Sequence, residues 1–353
     1  MEPGIRRRTI FHRALYIVAV LTTCTLVFML YLRISGIGTN TRANLLDMVN
    51  GTAHRPFQYR VLVPWVIRLL SPLVPDAVRD WTQCPVLGSA MTQLAGVDTG
   101  GEREACIALT IVFIALVGAV VAFRVLALRL GYGRKLVHVL TLLYPLTLTI
   151  SFIHAYVYDF PNLLLFSCAL VLLIPIDDDE SRAPHVWGYL AAFVLATLNK
   201  ETSVLLLIPF TLVYRHRMNR AAFTRLLGIQ CLSYAGIRLY LSHSFARNPG
   251  SMVEVHWQDH WRLLTAHPAF VGVLLLISVA IIALAAIGWK GKPLFLRQSL
   301  AMLMPLLPLY GLFGMPLEIR VFWEVYPVVF LLLIPKEYQP GGALSTHDVE
   351  GPS

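Results

Sequence analysis

Long apolar runs separated by short basic segments constrain this chain more than any other feature. A run of about 18 or more residues with few charges, wound as a helix, matches the thickness of a bilayer's hydrocarbon core. Runs that reach or approach this length lie at 14–32, 107–128, 136–152, 160–174, 226–241, 270–289, 300–312 and 321–334. Of 353 residues, 57% are hydrophobic and 14% are charged. The mean hydropathy of +0.66 excludes a water-soluble enzyme as the default reading. Lys and Arg outnumber Asp and Glu by 29 to 20, a formal charge of +9. Much of that excess sits between the runs, as membrane topology requires; nucleic-acid binding would need one contiguous basic face, so no nucleic-acid partner is expected.

Arg6, Arg7, Arg8 and Arg13 precede the first run as the basic region of a signal peptide does. The run 14–32 is too long for a signal core and no small-residue cleavage site follows, so it reads as a retained span with a cytoplasmic N-terminus. A long non-cytoplasmic loop, 33–104, follows, with an interfacial helix at 61–74 and a re-entrant or interfacial segment at 84–97. A pair of crossings inside that loop would leave the later topology unchanged. The basic Arg129, Arg134 and Lys135 fix the next loop in the cytoplasm. The segments 187–198 and 204–213 are each short for a span and are separated by Asn199, Lys200, Glu201, Thr202 and Ser203. Two arms meeting at a polar break keep Arg215, Arg217 and Arg220 inside and are the preferred reading; one long span is the alternative. The expected fold is therefore all-α, a polytopic transmembrane helix bundle of about 8–10 spans. It forms one domain over 1–335, with a disordered cytoplasmic tail at 336–353.

This topology collects ionisable residues on the outer side, where groups at membrane depth are costly unless paired or used. Asp47 lies shortly after the first span, where a carboxylate could take a proton from a hydroxyl or simply end a helix. Asp159 precedes Pro161, a position that suits a helix N-terminus. Lys200 and Glu201 either reach water in a turn or point into a protein-lined cavity. His54, Arg55, Tyr59 and Arg60 can hold an anionic headgroup or anchor the interfacial helix to ordinary phospholipid. His154 stands in the third loop, and Glu318 and Arg320 flank the last span. Arg320 can neutralise a carrier phosphate or pair with Glu324 four residues on. His256 and Trp257 lie in a late loop with Asp259, His260 and Trp261, which suits a carbohydrate or a plain interfacial belt. His256 and His260 have no third ligand at an evident spacing, so no metal residue and no cofactor is assigned, and a divalent ion has no clear ligand motif. Of five cysteines, Cys24, Cys168 and Cys231 read as buried small hydrophobes, and pairing of Cys84 with Cys106 is left open.

The acid after the first span, the stretch Pro56-Phe57-Gln58-Tyr59-Arg60-Val61-Leu62-Val63-Pro64, and Tyr158-Asp159-Phe160-Pro161-Asn162 form one part of a pattern. Asn199-Lys200-Glu201-Thr202-Ser203 and Glu318-Ile319-Arg320 complete it. Together they resemble bacterial polytopic proteins of the GT-C superfamily, membrane glycosyltransferases that take a sugar from a polyprenyl-phosphate carrier. The resemblance implies a bacterial inner-membrane enzyme with both termini cytoplasmic, acting on a lipid-linked sugar and a glycan or lipid acceptor. It makes Asp47 the first-loop catalytic acid and Arg60 and Arg320 carrier-phosphate contacts; Glu201 and Asp159 are further catalytic candidates by their place on the outer side. The chain departs from the family pattern in having no paired Asp-x-Asp or Glu-Asp in its first loop and no large periplasmic domain. Two other functions fit the residues: a transporter or lipid flippase with a broken helix at 199–203, and an acyltransferase using His54 or His154 as base.

Overall fold

The computed structural model describes residues 3–35, 40–74, 102–154, 156–175 and 185–335, and every regular element among them is helical. The segment read as interfacial at 84–97 and the tail at 336–353 lie outside the described residues. The chain opens with α1 (Pro3–Ile34), the short α2 (Leu45–Asn50), a 3-10 turn (Phe57–Tyr59) and α3 (Leu62–Leu70). It continues through α4 (Glu102–Arg129), α5 (Arg134–Leu148) with a 3-10 extension (Thr149–His154), α6 (Asp159–Leu173) and α7 (Val186–Asn199). A 3-10 segment (Glu201–Leu206) leads into α8 (Leu207–Tyr214). The remaining helices are α9 (Arg220–Ser244), α10 (Trp257–Ala266), α11 (Pro268–Ala286), α12 (Leu294–Ser299) and α13 (Leu303–Phe313). A last 3-10 segment (Ile319–Glu324) and α14 (Tyr326–Leu332) close the described fold.

Four helices, Ile10–Ile34, Arg103–Arg129, Arg134–Ile153 and Pro268–Ala286, are long and apolar enough to cross a membrane. At 1.5 Å per residue α4 is about 42 Å long, more than the roughly 30 Å of hydrocarbon it would have to span. α11 makes the case for a nonaqueous solvent most directly: it buries none of its residues, and Leu275, Leu276 and Ile282 are each more than half exposed. An apolar face of that extent is not stable against water. These helices mark the chain as a membrane protein.

The core forms where α4 packs along α6, with α5 and α7 on either side. Phe123 of α4 stacks on Tyr144 of α5 at 4.0 Å, and Phe330 of α14 meets both rings edge-on. A second aromatic group joins Tyr31 of α1, Phe152, Phe160 of α6 and Trp323. The Trp323 indole also donates to Ser151 Oγ at 2.8 Å, which fixes the 3-10 segment that carries Arg320 and Glu324.

The break expected at 199–203 is present. Lys200 is extended (φ −159°, ψ 145°), and the following arm turns back along the first. Tyr189, near the start of α7, donates to Leu206 O at 3.0 Å and stacks on Phe210 of α8 at 5.7 Å. The runs 300–312 and 321–334 are less regular than their hydropathy predicts. The first opens as a 3-10 turn (Leu300–Met302) and continues as α13 with Pro308 inside it; the second begins as 3-10 helix and becomes α-helical only at Tyr326, beside Pro327. Proline supplies no N–H, so it interrupts a ladder that composition alone reads as continuous.

Lys292 joins two helix ends in this region. It is buried, and its ammonium donates to Ala285 O at 2.6 Å and to Leu332 O, the last turns of α11 and α14. A cation there satisfies carbonyls that have no partner within their own helices. Lys292→Met is expected to cost about 1–3 kcal/mol by leaving those carbonyls unpaired. Thermal unfolding of the detergent-solubilised protein reads this as a lowered midpoint, and an unchanged midpoint would show that the clamp contributes nothing.

Candidate functional site

The first loop is tied down before it reaches the site. Asn44 caps α2 through Leu46 N–H at 2.9 Å, and Gly51 ends it at φ +84°, a conformation that favours glycine. Arg68 of α3 donates its Nε to Val49 O at 3.0 Å. Asn248 Nδ2 donates to both Gly51 O and Ala53 O, and Arg55 donates from its backbone to Pro249 O at 2.8 Å and from Nη2 to Gly250 O at 2.6 Å. Gly250 sits at φ +88° with Arg55 O only 2.6 Å from where a Cβ would stand, so this crossing requires glycine.

Arg60 leaves that loop at the end of the 3-10 turn. Its Nη2 and Nε fork onto Glu201 at 2.8 and 3.4 Å, its Nη1 donates to the Tyr158 hydroxyl, and its guanidinium lies 4.4 Å over the Tyr158 ring. The fork joins the first loop to the helix break, 141 residues away in sequence. Next to it, Lys200 Nζ meets Glu324 Oε1 at 2.7 Å. The same oxygen accepts from Thr202 Oγ1 at 2.7 Å and Asn162 Nδ2 at 3.2 Å. Glu324 Oε2 is buried without a hydrogen-bond partner among the described residues.

Arg320 completes the network. Its Nη1 reaches both oxygens of Asp159 at 2.9 Å and its Nη2 reaches Glu318. Asp159 also accepts the Tyr156 N–H at 2.7 Å, and Arg320 lies 4.3 Å over the Tyr156 ring. The pairing of Arg320 with Glu324, open on sequence spacing, does not form. The segment winds as 3-10 helix, which takes residues four apart off a common face, and each finds a partner on another element. Leu317, just before Glu318, holds φ +67°, a costly backbone state for leucine and one that the Tyr310 hydroxyl supports by accepting its N–H at 3.1 Å.

These residues wall a cavity of about 470 Å³. Its wall combines apolar side chains, among them Leu306, Leu309 and Phe313 of α13, with charged ones. Of the residues expected from sequence to act, Tyr59, Arg60, Lys200, Glu201, His256, Glu318 and Arg320 line it together. Asp159 lies just behind the wall, 2% exposed and held by Arg320. Asp47 is not on the wall; its Oδ1 accepts from the Thr52 hydroxyl at 3.2 Å at the other end of α2's loop. His54 and Arg55 serve the loop crossing, with the His54 N–H donating to Arg42 O, and Trp257 is exposed on α10 away from the wall. His154 ends a 3-10 segment and its side chain lies outside what the structure describes. Among the described residues no three His, Cys, Asp or Glu side chains gather into a group that could hold a metal.

One contributor escaped the sequence reading. Arg238, on α9, lines the cavity with its guanidinium 5.3 Å from the Tyr59 ring, and it makes no ion pair or hydrogen bond among the described residues. The signal was present: an arginine stands inside the apolar run 226–241, and a charge in such a run is functional by default. Glu254 lines the wall beside His256 and is paired with Arg42. His256 in turn sits 2.9 Å from Asp259 Oδ2, and this hydrogen bond, with Arg262 nearby, holds Asp259 below the usual carboxylate range. Every other cation on the wall has a carboxylate in contact, so Arg238 is the guanidinium whose donors are open to a ligand. Comparisons of the chain with protein families, with curated proteins and with solved structures return no match.

Proposed function

We propose that this chain is a polytopic inner-membrane glycosyltransferase of the GT-C type, with both termini in the cytoplasm. It moves a sugar from a polyprenyl-phosphate carrier to a glycan or lipid acceptor on the non-cytoplasmic side. The observation that carries this reading is the cavity's mixed wall: apolar residues of α13 together with charged residues, among them Arg238, which has no carboxylate within salt-bridge distance among the described residues. A lipid with an anionic headgroup meets both requirements at once, its chain on the leucines and its phosphate on the guanidinium. Glu201 is the carboxylate among the three read for chemistry that reaches the wall, and its side chain is 34% exposed there. In this reading it faces the sugar and stabilises the positive charge that develops at the anomeric carbon as the phosphate departs. Arg238 stabilises the leaving phosphate.

The test is a transfer assay on the purified protein in lipid nanodiscs, with a panel of radiolabelled polyprenyl-phosphate sugars and extracted envelope lipids and glycans as acceptors. Release of free polyprenyl phosphate with label in the acceptor is the expected result, and Glu201→Gln is expected to lower the rate by about 10²–10³-fold. In proteoliposomes, recovery of the intact donor in the opposite leaflet, with no release, would replace the transferase by a lipid flippase.

A further inference from the structure

Every carboxylate that faces the cavity is already committed to a guanidinium: Glu201 to Arg60, Glu318 to Arg320 and Glu254 to Arg42. His256 is different. It lines the cavity from the N-terminus of α10, and the first turn of that helix is pinned against the end of α13. The His256 N–H donates to Leu312 O at 2.8 Å, and one turn on His260 contacts Gly314 O at 2.9 Å and packs edge-on against Tyr310 at 5.0 Å. The imidazole is oriented as firmly as its backbone. Nδ1 stands 2.9 Å from Asp259 Oδ2, and because an ionised carboxylate only accepts, Nδ1 carries the proton. In the neutral ring Nε2 then presents a lone pair, and it faces Glu254 Oε2 at 3.5 Å. Both are acceptors, and 3.5 Å leaves no room for an oxygen between them, so a substrate hydroxyl donates to Nε2 from the cavity side, next to Glu254.

We propose that His256 is the proton acceptor of the transfer, drawing the acceptor hydroxyl's proton onto Nε2, with Asp259 as its positioning residue; the assignment rests on the transferase reading. The acceptor O–H bond breaks as its oxygen bonds to the anomeric carbon. The bond from that carbon to the phosphate oxygen breaks, and its electron pair leaves with polyprenyl phosphate. The proton remains on an imidazolium between Asp259 and Glu254, which stabilise it. The other charged or titratable groups around the ring are Arg42 against Glu254, Arg262 and His260 near Asp259, and Glu318 and Tyr310, which line the same cavity.

The experiment measures transfer against pH for the wild type, His256→Gln and Asp259→Asn in nanodiscs, with donor binding measured separately by photo-crosslinking of a polyprenyl-phosphate analogue. The wild-type rate is expected to fall on the acid side as the imidazole takes a proton. His256→Gln is expected to lower kcat by about 10²–10⁴-fold and remove that limb, with donor binding within about twofold. Asp259→Asn is expected to keep the limb and move it to lower pH, because a stabilising carboxylate has gone. Unfolding midpoints of both variants serve as the folding control. If His256→Gln transfers at the wild-type rate, the assignment falls and the transferase reading stands. If it loses donor binding in step with kcat, His256 holds the donor and is not the base. If the wild type binds donor and releases no polyprenyl phosphate at any pH, both readings fall.

Discussion

Arg320→Ala is expected to destabilise the folded protein by about 3–5 kcal/mol. Arg320 and Asp159 are each 2% exposed, and the arginine is the cation for two carboxylates, Asp159 through a two-oxygen contact and Glu318 through Nη2. Removing it leaves two acidic groups in a dry environment, where the cost of an uncompensated charge exceeds what the intact pair contributed. Arg320→Lys keeps the charge but has no planar fork, so it should recover only part of the loss. The informative comparison is the double variant Arg320→Met with Asp159→Leu. Removing both members of the pair is expected to cost less than removing the arginine alone, since one acid goes with it. Denaturant unfolding in detergent measures all three, and an Arg320→Ala protein as stable as the wild type would mean that water reaches this network.

Much of the helical framework could be read from the sequence, because a span is a local property: about 20 apolar residues in a row identify it wherever the rest of the chain goes. The four long helices fall on runs identified in that way, and the break at Lys200 was marked by charges interrupting an apolar stretch. The 3-10 segments at Thr149–His154 and Ile319–Glu324 were not legible, since their choice over α-helix depends on what they pack against. The site divides along the same line. Sequence identified Arg60, Lys200, Glu201, Glu318 and Arg320 as ionisable groups collecting at one level, and they share a wall. It could not assign partners, because Arg60 with Glu201, Lys200 with Glu324 and Asp159 with Arg320 are pairs separated by more than 100 residues. Asp47 drew attention by its place after the first span, yet the reach of a carboxylate depends on which way a two-turn helix faces, and that is set by Arg68, Asn248 and the loop crossing.

Arg238→Ala is expected to weaken binding of a polyprenyl phosphate by about 10- to 150-fold, the equivalent of one charge-assisted hydrogen-bonding group at about 1.5–3 kcal/mol. The argument turns on the difference between this arginine and its neighbours. Arg60 and Arg320 are saturated by Glu201, Asp159 and Glu318, so an incoming phosphate would compete with carboxylates already in place. Arg238 has no such competitor in contact, and its Nη1 is buried without a hydrogen-bond partner among the described residues. That one buried, unpartnered N–H donor is a cost to the empty protein that an anion repays on arrival. Folding should therefore feel the substitution little: the losses are the packing over Tyr59, worth about 0.5–1 kcal/mol, and a through-space attraction to Glu201. Arg238→Lys should restore part of the affinity, as a point charge without the fork. Raising ionic strength should weaken the wild type more than the alanine variant, because the variant has lost the charge that salt screens. Binding of a fluorescent polyprenyl-phosphate analogue to the nanodisc protein at two salt concentrations separates these expectations. Equal affinity for wild type and variant at both would remove the anion from the cavity, and with it the basis for reading the site as one that holds a lipid-linked sugar.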